Sequence, residues 1–222
     1  VSFTERIRVG DEEISQDDVV GLADEIWQRT GAADVALTFF EFITVMAFVY
    51  FARSHVDVAV VEVGLGGRLD ATNLVTPMVS VITTISKDHE AYLGPDELSI
   101  AREKGGIIKS SVPVVCGKIS KEVAELLAQI ARERQAPAYF LGTNFSFFLK
   151  NGGLFDYRGI KKHFSKLNLA LRGQHQRANA TLALAALELI EGSFSLSERV
   201  IRQGLQTVRW PGGPGPGGEE SG

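Results

Sequence analysis

Four short runs of β-branched and aromatic residues, separated by longer helical segments, constrain the fold of this chain more than any other feature. The runs are, in chain order, VDVAVVEV (56–63), VSVITTI (79–85), VPVVCG (112–117) and PAYFLG (137–142). Strands that are covered by helices on both faces form continuous Val/Ile runs rather than alternating patterns. The sequence therefore predicts an α/β fold, with a mostly parallel, doubly wound sheet flanked by helices.

The remaining elements are predicted from capping residues and from apolar spacing. The segment 15–30 starts with a Ser cap and early acids, and its apolar residues recur three and four apart, so it is predicted to be a helix. The segment 37–54 is apolar nearly all round and is predicted to be a helix buried against a sheet. Asn151-Gly152-Gly153 separates two aromatic runs and predicts an antiparallel hairpin appended to the parallel sheet. The other predicted elements are a hairpin turn at 9–13 and helices at 175–190 and 195–208.

Length, charge and cysteine content narrow the class of protein. The chain has 222 residues, 45% of them hydrophobic, which is enough for one large domain with a buried core. Its net charge of −4 comes from interspersed acids and bases, which argues against binding to nucleic acid or to an anionic membrane. A single cysteine, the lack of a signal peptide and the lack of a long uncharged apolar run predict a soluble, cytoplasmic protein. Cys116 is predicted to be a buried strand residue.

A carboxylate and a glycine-rich turn follow the first apolar run. Ligands of open α/β sheets bind outside the carboxyl ends of the strands, which is where Glu62 and the segment 64–73, GLGGRLDATN, are expected. A carboxylate near the end of a buried strand is costly unless a cation meets it, and a metal ion would supply that cation. The alternative is that Arg68 neutralises Glu62 and that the glycines only turn the chain. The segment contains neither G-x-G-x-x-G nor G-x-x-x-x-G-K-[ST], so it is not itself a phosphate loop.

Two further positions have both a structural and a functional interpretation. Asp88 and His89 follow the second apolar run, and an oxygen and an imidazole from neighbouring loops could share one divalent ion with Glu62, although a lone His is more often structural. Lys104 lies in the last turn of a helical segment that ends at Gly105, where a lysine is ordinarily a solvated residue that complements the helix dipole.

Six motifs in this order closely resemble the folylpolyglutamate synthase and dihydrofolate synthase family, a branch of the Mur ligases. The resemblance spans residues 1–212, and its motifs are LTFFEF, VVEVGLGGRLDATN, DHEAYLG, IAREKGGIIK, LRGQHQRANA and RWPG. It implies an enzyme that uses ATP to phosphorylate a carboxylate and then lets the amine of glutamate displace the phosphate to form an amide. The implied cofactors are ATP and Mg²⁺, and the implied substrates are L-glutamate and dihydropteroate or a reduced folate.

The resemblance also implies roles for individual residues. It places Glu62 and His89 among the magnesium ligands, and it makes Lys104 the lysine that is carbamylated to bind a second magnesium ion. It implies that Asn179 recognises the adenine base of ATP, and His175 lies one helical turn before Asn179. The residues implied to line the pterin pocket are Thr38, Phe40, Asp70 and Ala71, with Phe40 offering an aromatic surface and Asp70 an acceptor for pterin nitrogens.

The chain departs from the family pattern at both ends. We expect residues 1–211 to be the central domain without its first strand and its G-T-N-G-K-G-S phosphate loop, and residues 212–222, with six glycines and two prolines, to be disordered. The C-terminal glutamate-binding domain is expected to be absent, and the chain alone is expected not to catalyse ligation. The family implies a monomer, although loss of a strand makes association through exposed sheet a hazard. Two alternatives remain: the chain belongs to a cell-wall Mur ligase, or it is a non-catalytic binding or scaffold domain.

Overall fold

The structure of the protein is a computed structural model that describes residues 3–85, 96–194 and 196–209. Contacts between residues divide the chain into two compact units, with the boundary between Val75 and Thr76. Within the described ranges, no helix has the combination of length and hydrophobicity that a membrane span requires. The predicted disordered segment 212–222 lies outside these ranges.

The first unit is built on two helices that pack against each other. A short antiparallel hairpin of β1 (Arg8–Val9) and β2 (Glu12–Glu13) precedes α1 (Gln16–Ala32) and α2 (Phe39–Arg53). Ser15 caps α1, as its sequence predicted, and Thr38 caps α2. The buried core of this unit lies between the hairpin and the two helices and consists of Ile7, Ile14, Leu22, Ile26 and Met46. Within this unit α2 packs against α1.

The prediction of a buried strand at 56–63 is wrong for this chain. The segment has no strand assignment, and Val58 and Val60 are 47% and 94% exposed. None of the backbone amides of residues 57–64 donates a hydrogen bond within the described part of the chain. A strand requires a neighbour to complete its ladder, and no described segment supplies one here. The β-branched composition is therefore not sufficient to make 56–63 a sheet strand.

The second unit contains the predicted parallel sheet. Its strands are β3 (Ser80–Ile82), β4 (Val114–Cys116) and β5 (Ala138–Phe140), hydrogen-bonded in that order, and they are joined in the chain by α3 (Glu97–Gly105) and α4 (Lys121–Glu133). Val114 and Cys116 pack into a cluster that contains Leu127 of α4, whereas Val115 packs into a second cluster with residues of α5 (Gln174–Ile190). The sheet is therefore covered on both faces, which explains the continuous apolar runs and confirms the predicted fold class.

The aromatic segment forms a sheet of three strands rather than the predicted two. The order is β6 (Ser146–Leu149), β7 (Phe155–Arg158) and β8 (His163–Leu167), all antiparallel, and α6 (Glu198–Thr207) follows α5 in the chain. The predicted turn separates β6 from β7 and uses positive φ angles at Gly152 and Gly153. The strand β8 was not predicted because three of its five residues, His163, Ser165 and Lys166, are polar and its pairing with β7 is irregular.

Cys116 is fully buried in β4, in agreement with the sequence-based prediction. Burial raises the pKa of its thiol to about 12, so the thiol stays protonated and unreactive at neutral pH. The residue therefore serves the core of the sheet and not a reaction.

Candidate functional site

The loop that follows the first apolar run is held together by Asp70. Its Oδ2 accepts a hydrogen bond of 2.9 Å from the Leu65 backbone amide, and its Oδ1 accepts one of 2.9 Å from the Thr72 amide. The Thr72 hydroxyl also donates to Oδ1. Asp70 is in addition the N-cap of the short 3₁₀ turn Ala71–Leu74, and Gly66 supplies a positive φ angle within the loop. The predicted pocket residues Asp70 and Ala71 thus lie in an ordered loop.

The other two predicted pocket residues lie at the start of α2, in the same unit. Thr38 forms a capping box with Glu41, in which the Thr38 amide donates to Glu41 Oε2 at 2.7 Å and the Glu41 amide donates to Thr38 Oγ1 at 3.3 Å. The Thr38 hydroxyl also donates to Glu41 Oε2, and the Thr38 amide and hydroxyl together hold the pKa of the Glu41 carboxyl below its usual value. The tip of the Phe40 ring lies against the backbone of Gly64, and α2 contacts the 3₁₀ turn that starts at Ala71. The structure therefore brings Thr38, Phe40, Asp70 and Ala71 onto two contacting elements.

Glu62 lies just before this loop and is exposed. No ion pair or hydrogen bond engages its carboxylate among the described residues, and no ion pair joins it to Arg68. The alternative in which Arg68 neutralises Glu62 is therefore not observed. The carboxylate oxygens are accessible, and oxygen is the ligand atom that magnesium prefers.

Lys104 lies half-buried in the last turn of α3, in the second unit. A different cation, Arg134, binds the carbonyl groups at the end of α3. Its Nη1 donates to the carbonyls of Gly105 at 3.2 Å and Gly106 at 3.3 Å and also to that of Ile108. A guanidinium in this position complements the negative end of the helix dipole. The Lys104 amine forms no ion pair with any residue that the structure describes, so it is not needed to neutralise the helix end.

His175 and Asn179 lie one turn apart on α5, and both are exposed. This spacing of four residues places them on the same face of the helix. The N-cap of the helix is Gly173, which has a φ of 102° and offers no side chain to cap the first amides, and the His175 ring lies against the Gly173 backbone. Arg177 ties the same turn to the β6–β7 connection by donating to Gly153 O at 2.9 Å. The first turn of α5 therefore presents uncapped amides beside two polar side chains.

Two of the three predicted metal ligands, Glu62 and Lys104, lie within the described residues. His89, like Asp88, lies outside the described residues. Among the residues that are described, no group of three or more His, Cys, Asp or Glu side chains could hold a metal ion. The free carboxylate of Glu62 fits a magnesium ligand, whereas Lys104 as an unmodified ammonium does not.

Sequence reasoning missed three residues that hold these elements in place. Arg134 binds the carbonyls after Lys104, Arg177 anchors the start of α5, and Glu188 accepts hydrogen bonds from the β7–β8 turn. Nothing in the local sequence distinguishes Arg134 or Arg177 from solvated helix arginines. The signal for Glu188 is its position on the apolar face of a helix, where an acid requires donors.

The sequence matches the Mur ligase middle domain over residues 17–187. A curated relative, the dihydrofolate synthase/folylpolyglutamate synthase of Bacillus subtilis, is 35% identical over 223 residues, which is 96% of this chain and 52% of the relative. The chain therefore spans about half the length of the curated relatives it matches.

Solved structures agree with the sequence comparison. A folylpolyglutamate synthase in complex with AMPPCP and folate has a TM-score of 0.86 at 34% identity, over 95% of this chain and 54% of its own. The Mycobacterium tuberculosis folylpolyglutamate synthase in complex with ADP and AMPPCP has a TM-score of 0.81 at 37% identity, over 90% and 48% of the two chains. The sequence match, the parallel sheet covered on both faces and these structures together show that the chain belongs to the Mur ligase middle domain family.

Proposed function

We propose that this chain is the nucleotide- and folate-binding part of an ATP-dependent ligase that joins L-glutamate to dihydropteroate or to a reduced folate. The observation that carries the proposal is the similarity, over nearly the whole chain, to folylpolyglutamate synthases that bind AMPPCP and folate. AMPPCP is an analogue of ATP, so the nucleotide of the proposed reaction is ATP. The alternative of a cell-wall Mur ligase has no comparable support.

The proposed adenine site is the start of α5. Asn179 offers an amide that can both donate to and accept from a base, and His175 lies on the same exposed face. The uncapped amides of the first turn and the positive end of the helix dipole favour a nearby anion. Arg177 holds this turn against the carbonyl of Gly153 and so keeps the two polar side chains in place.

The proposed pterin site is the loop 64–74 with the start of α2. Phe40 offers an aromatic wall that is already fixed against Gly64, and the small residue Ala71 starts the 3₁₀ turn next to Asp70. Thr38 and Asp70 are held by their own hydrogen bonds to the backbone. A pocket whose walls are fixed before binding loses little conformational freedom when the ligand enters.

In the proposed reaction, the γ-phosphoryl group of ATP passes to the carboxylate of the pterin substrate to form an acyl phosphate. The amine of glutamate then attacks the acyl carbon, the amide bond forms, and phosphate leaves with the bonding electron pair. Mg²⁺, when bound, neutralises the phosphate oxygens and the charge that develops on them. Glu62 and His89 are the proposed ligands of this ion. Lys104, once carbamylated, would present to a second magnesium ion the oxygens that an ammonium lacks.

The test is a calorimetric titration of the chain with ATP and Mg²⁺ and, separately, with dihydropteroate. We expect Asn179→Ala to weaken nucleotide binding by about tenfold or more, because the loss of a buried polar contact to a base costs about 1–3 kcal/mol. Asn168→Ala is the matched control, since Asn168 is an exposed asparagine outside the proposed site. Glu62→Ala is expected to reduce the dependence of ATP binding on Mg²⁺.

The outcomes separate the parts of the proposal. Binding of dihydropteroate without ATP would show that the pterin site functions in this chain while the nucleotide site needs further elements. Failure of both ligands to bind would contradict the proposed function for this chain. Equal effects of Asn179→Ala and Asn168→Ala would refute the assignment of the adenine site.

A further inference from the structure

The connection between β8 and α5, residues 168–173, leads directly into the proposed adenine site. Within the part of the chain that the structure describes, one backbone hydrogen bond ties it to another element, and this bond runs from the Ala170 amide to the Leu205 carbonyl of α6 at 2.9 Å. At the far end of the connection, Arg177 Nη1 in the first turn of α5 donates to the Gly173 carbonyl at 3.2 Å. The path of the connection is therefore set mainly by the elements at its two ends.

Arg202 of α6 binds the end of β8, just before this connection. Its Nη2 donates to the Ser165 carbonyl at 2.8 Å, and its Nη1 donates to the Lys166 carbonyl at 3.3 Å. The third donor, Nε, is held by Glu198 Oε1 at 2.8 Å. Arg202 and Leu205 lie three residues apart, which places them on the same face of the helix. One face of α6 therefore holds both the end of β8 and the connection that follows it.

The end of β8 needs this support because its backbone is irregular. Lys166 has a φ of 54°, a left-handed conformation that is uncommon for a residue with a Cβ atom. The Lys166 amide donates to Asp156 Oδ1 at 2.8 Å, so Asp156 holds the amide of this residue and Arg202 holds its carbonyl. An irregularity of this kind bends a strand and sets the direction of the chain after it.

We propose that Arg202 is a positioning residue of the nucleotide site, which fixes the start of α5 by holding the end of β8 on α6. The proposal rests on the proposed function for the identity of the ligand. Among the described residues, Arg202 forms no hydrogen bond or ion pair with His175 or Asn179, so it acts on them through the backbone. The contacts run without a gap from Arg202 through the connection to Gly173 and the first turn of α5.

An arginine suits this position because three acceptors surround it. The guanidinium presents five N–H donors in a planar fork, so it can bind two adjacent carbonyls and a carboxylate at the same time. Arg202→Ala removes all of these donors. The helix α6 keeps its apolar attachment in this variant, since Ile201 and Leu205 pack against the buried cluster that contains Leu169.

Two control variants separate the proposed action from general effects on α6. Arg199→Ala is the matched control, because Arg199 is an exposed arginine of the same helix. Glu198→Gln removes the charge of the carboxylate that pairs with Arg202 and leaves the two carbonyl contacts in place. Thermal unfolding of each variant shows whether the chain still folds, so that local effects can be separated from global unfolding.

The first measurement is NMR of the ligand-free chain, by amide hydrogen exchange and amide chemical shifts. We expect Arg202→Ala to accelerate exchange at Ala170 by roughly tenfold, the effect of losing one hydrogen bond, and to shift the amide resonances of residues 173–179. Arg199→Ala and Glu198→Gln should leave Ala170 unchanged. Effects of Arg202→Ala that stay within residues 165–170 would overturn the proposal, because the start of α5 would then not depend on Arg202.

The second measurement compares the Kd values of ATP and GTP in the presence of Mg²⁺. GTP presents the acceptor O6 where ATP presents the N6 amino donor, so the ratio of the two Kd values reports how well the base is recognised. We expect Arg202→Ala to reduce the preference for ATP by about threefold or more, and Arg199→Ala to leave it unchanged. A merely structural role would weaken both nucleotides equally and leave the ratio as in the wild type, which would refute the positioning role.

The two measurements keep this proposal apart from the proposed function. Failure of the wild-type chain to bind either nucleotide would contradict the proposed function. The ligand-free spectra need no nucleotide, so they still decide whether Arg202 positions the start of α5.

Discussion

At the scale of single residues, the contact between Phe40 and Gly64 fixes the loop that follows Glu62. A Cβ atom built on Gly64 would lie 2.4 Å from Phe40 Cζ and 2.8 Å from the neighbouring ring carbons. No side chain fits in this space unless the ring moves. The glycine is therefore required by a close approach of the backbone to an aromatic ring, and the ring is itself a predicted wall of the pterin site.

We expect Gly64→Ala to destabilise the chain by about 1–3 kcal/mol, the range found when extra atoms are forced into a packed site. Combining it with Phe40→Ala should cost less than the sum of the two single variants, because removal of the ring removes the clash. Chemical denaturation of the two single variants and the double variant measures this coupling. Additive effects would show that Gly64 is constrained by something other than the ring.

Gly21→Ala is the control for the effect of glycine itself. Gly21 lies inside α1, and a Cβ atom there would meet no heavy atom within 4 Å. Since alanine favours a helix interior over glycine by up to about 1 kcal/mol, this variant should stabilise the chain. If Gly64→Ala lowers the free energy of unfolding and Gly21→Ala raises it, the loss at Gly64 comes from the steric clash with Phe40 and not from the replacement of glycine by alanine as such.

At the scale of elements, Glu188 joins α5 to the β7–β8 turn. Its side chain is buried, Lys161 N donates to Oε2 at 2.6 Å, Lys162 N donates to Oε2 at 3.0 Å, and Ile160 N donates to Oε1 at 3.2 Å. The Tyr157 hydroxyl donates to Oε1, and burial together with this carboxylate raises the pKa of the Tyr157 phenol. A buried acid is tolerated here because each of its oxygens meets two donors.

Glu188→Gln should lower the free energy of unfolding by about 2–3 kcal/mol, because its NH₂ group would face backbone donors that keep no acceptor. Glu191→Gln is the matched control on the same helix end, since the ion pair of Glu191 with Lys162 is partly exposed and worth at most about 1 kcal/mol. Denaturant titration of the two variants gives the comparison. Similar losses of unfolding free energy in both variants would mean that the hydrogen bonds of buried Glu188 stabilise the chain no more than the partly exposed ion pair of Glu191.

The capping box of α2 makes the stability of the first unit depend on pH. Hydrogen bonds from the Thr38 backbone and side chain lower the pKa of Glu41 in the folded chain from 4.5. A carboxyl group with a lowered pKa contributes stability above its unfolded pKa, and this contribution is lost as the pH falls through the folded value. A glutamine keeps the acceptor but carries no charge.

We therefore expect the wild type to be more stable than Glu41→Gln at neutral pH and the difference to shrink as the pH falls below about 4.5. Urea denaturation of both proteins across the acid range measures this difference. Glu122→Gln is the control, because Glu122 also lies in the first turn of a helix, α4, but forms no capping box. A difference that grows in acid would contradict the sign derived from the lowered pKa of Glu41.

At the scale of the whole molecule, the sequence predicted most elements but not which of them would be paired. The cap at Ser15 and the three parallel strands were predicted, because local hydrogen bonds and two-sided burial leave a pattern in the sequence. The segment 56–63 was predicted wrongly, since composition reports a preference for extended backbone and not the presence of a neighbour. The motifs indicated Asp70 as a site residue, but its engagement by Leu65 and Thr72 depends on loop geometry that spacing does not encode.

The segment 57–63 is a candidate contact for self-association of the chain in solution. Its backbone amides donate no hydrogen bond to any residue that the structure describes, and Val58 and Val60, which belong to the segment, expose their apolar side chains. Such a segment is a template for pairing with another chain. We expect the purified chain to self-associate as its concentration rises, with Val60 near the centre of the contact.

Val60→Lys should abolish this association, because a charge in the middle of an edge opposes close pairing with a second copy. Val20→Lys is the matched control, since Val20 is 62% exposed on α1, away from any edge. Sedimentation velocity over a wide concentration range measures the average mass of the three proteins. A wild-type chain that stays monomeric at high concentration, or an equal effect of the two lysine variants, would show that the unpaired segment is not the contact. A monomeric Val60→Lys beside an associating wild type and Val20→Lys would show that β-pairing, and not general hydrophobicity, drives the association.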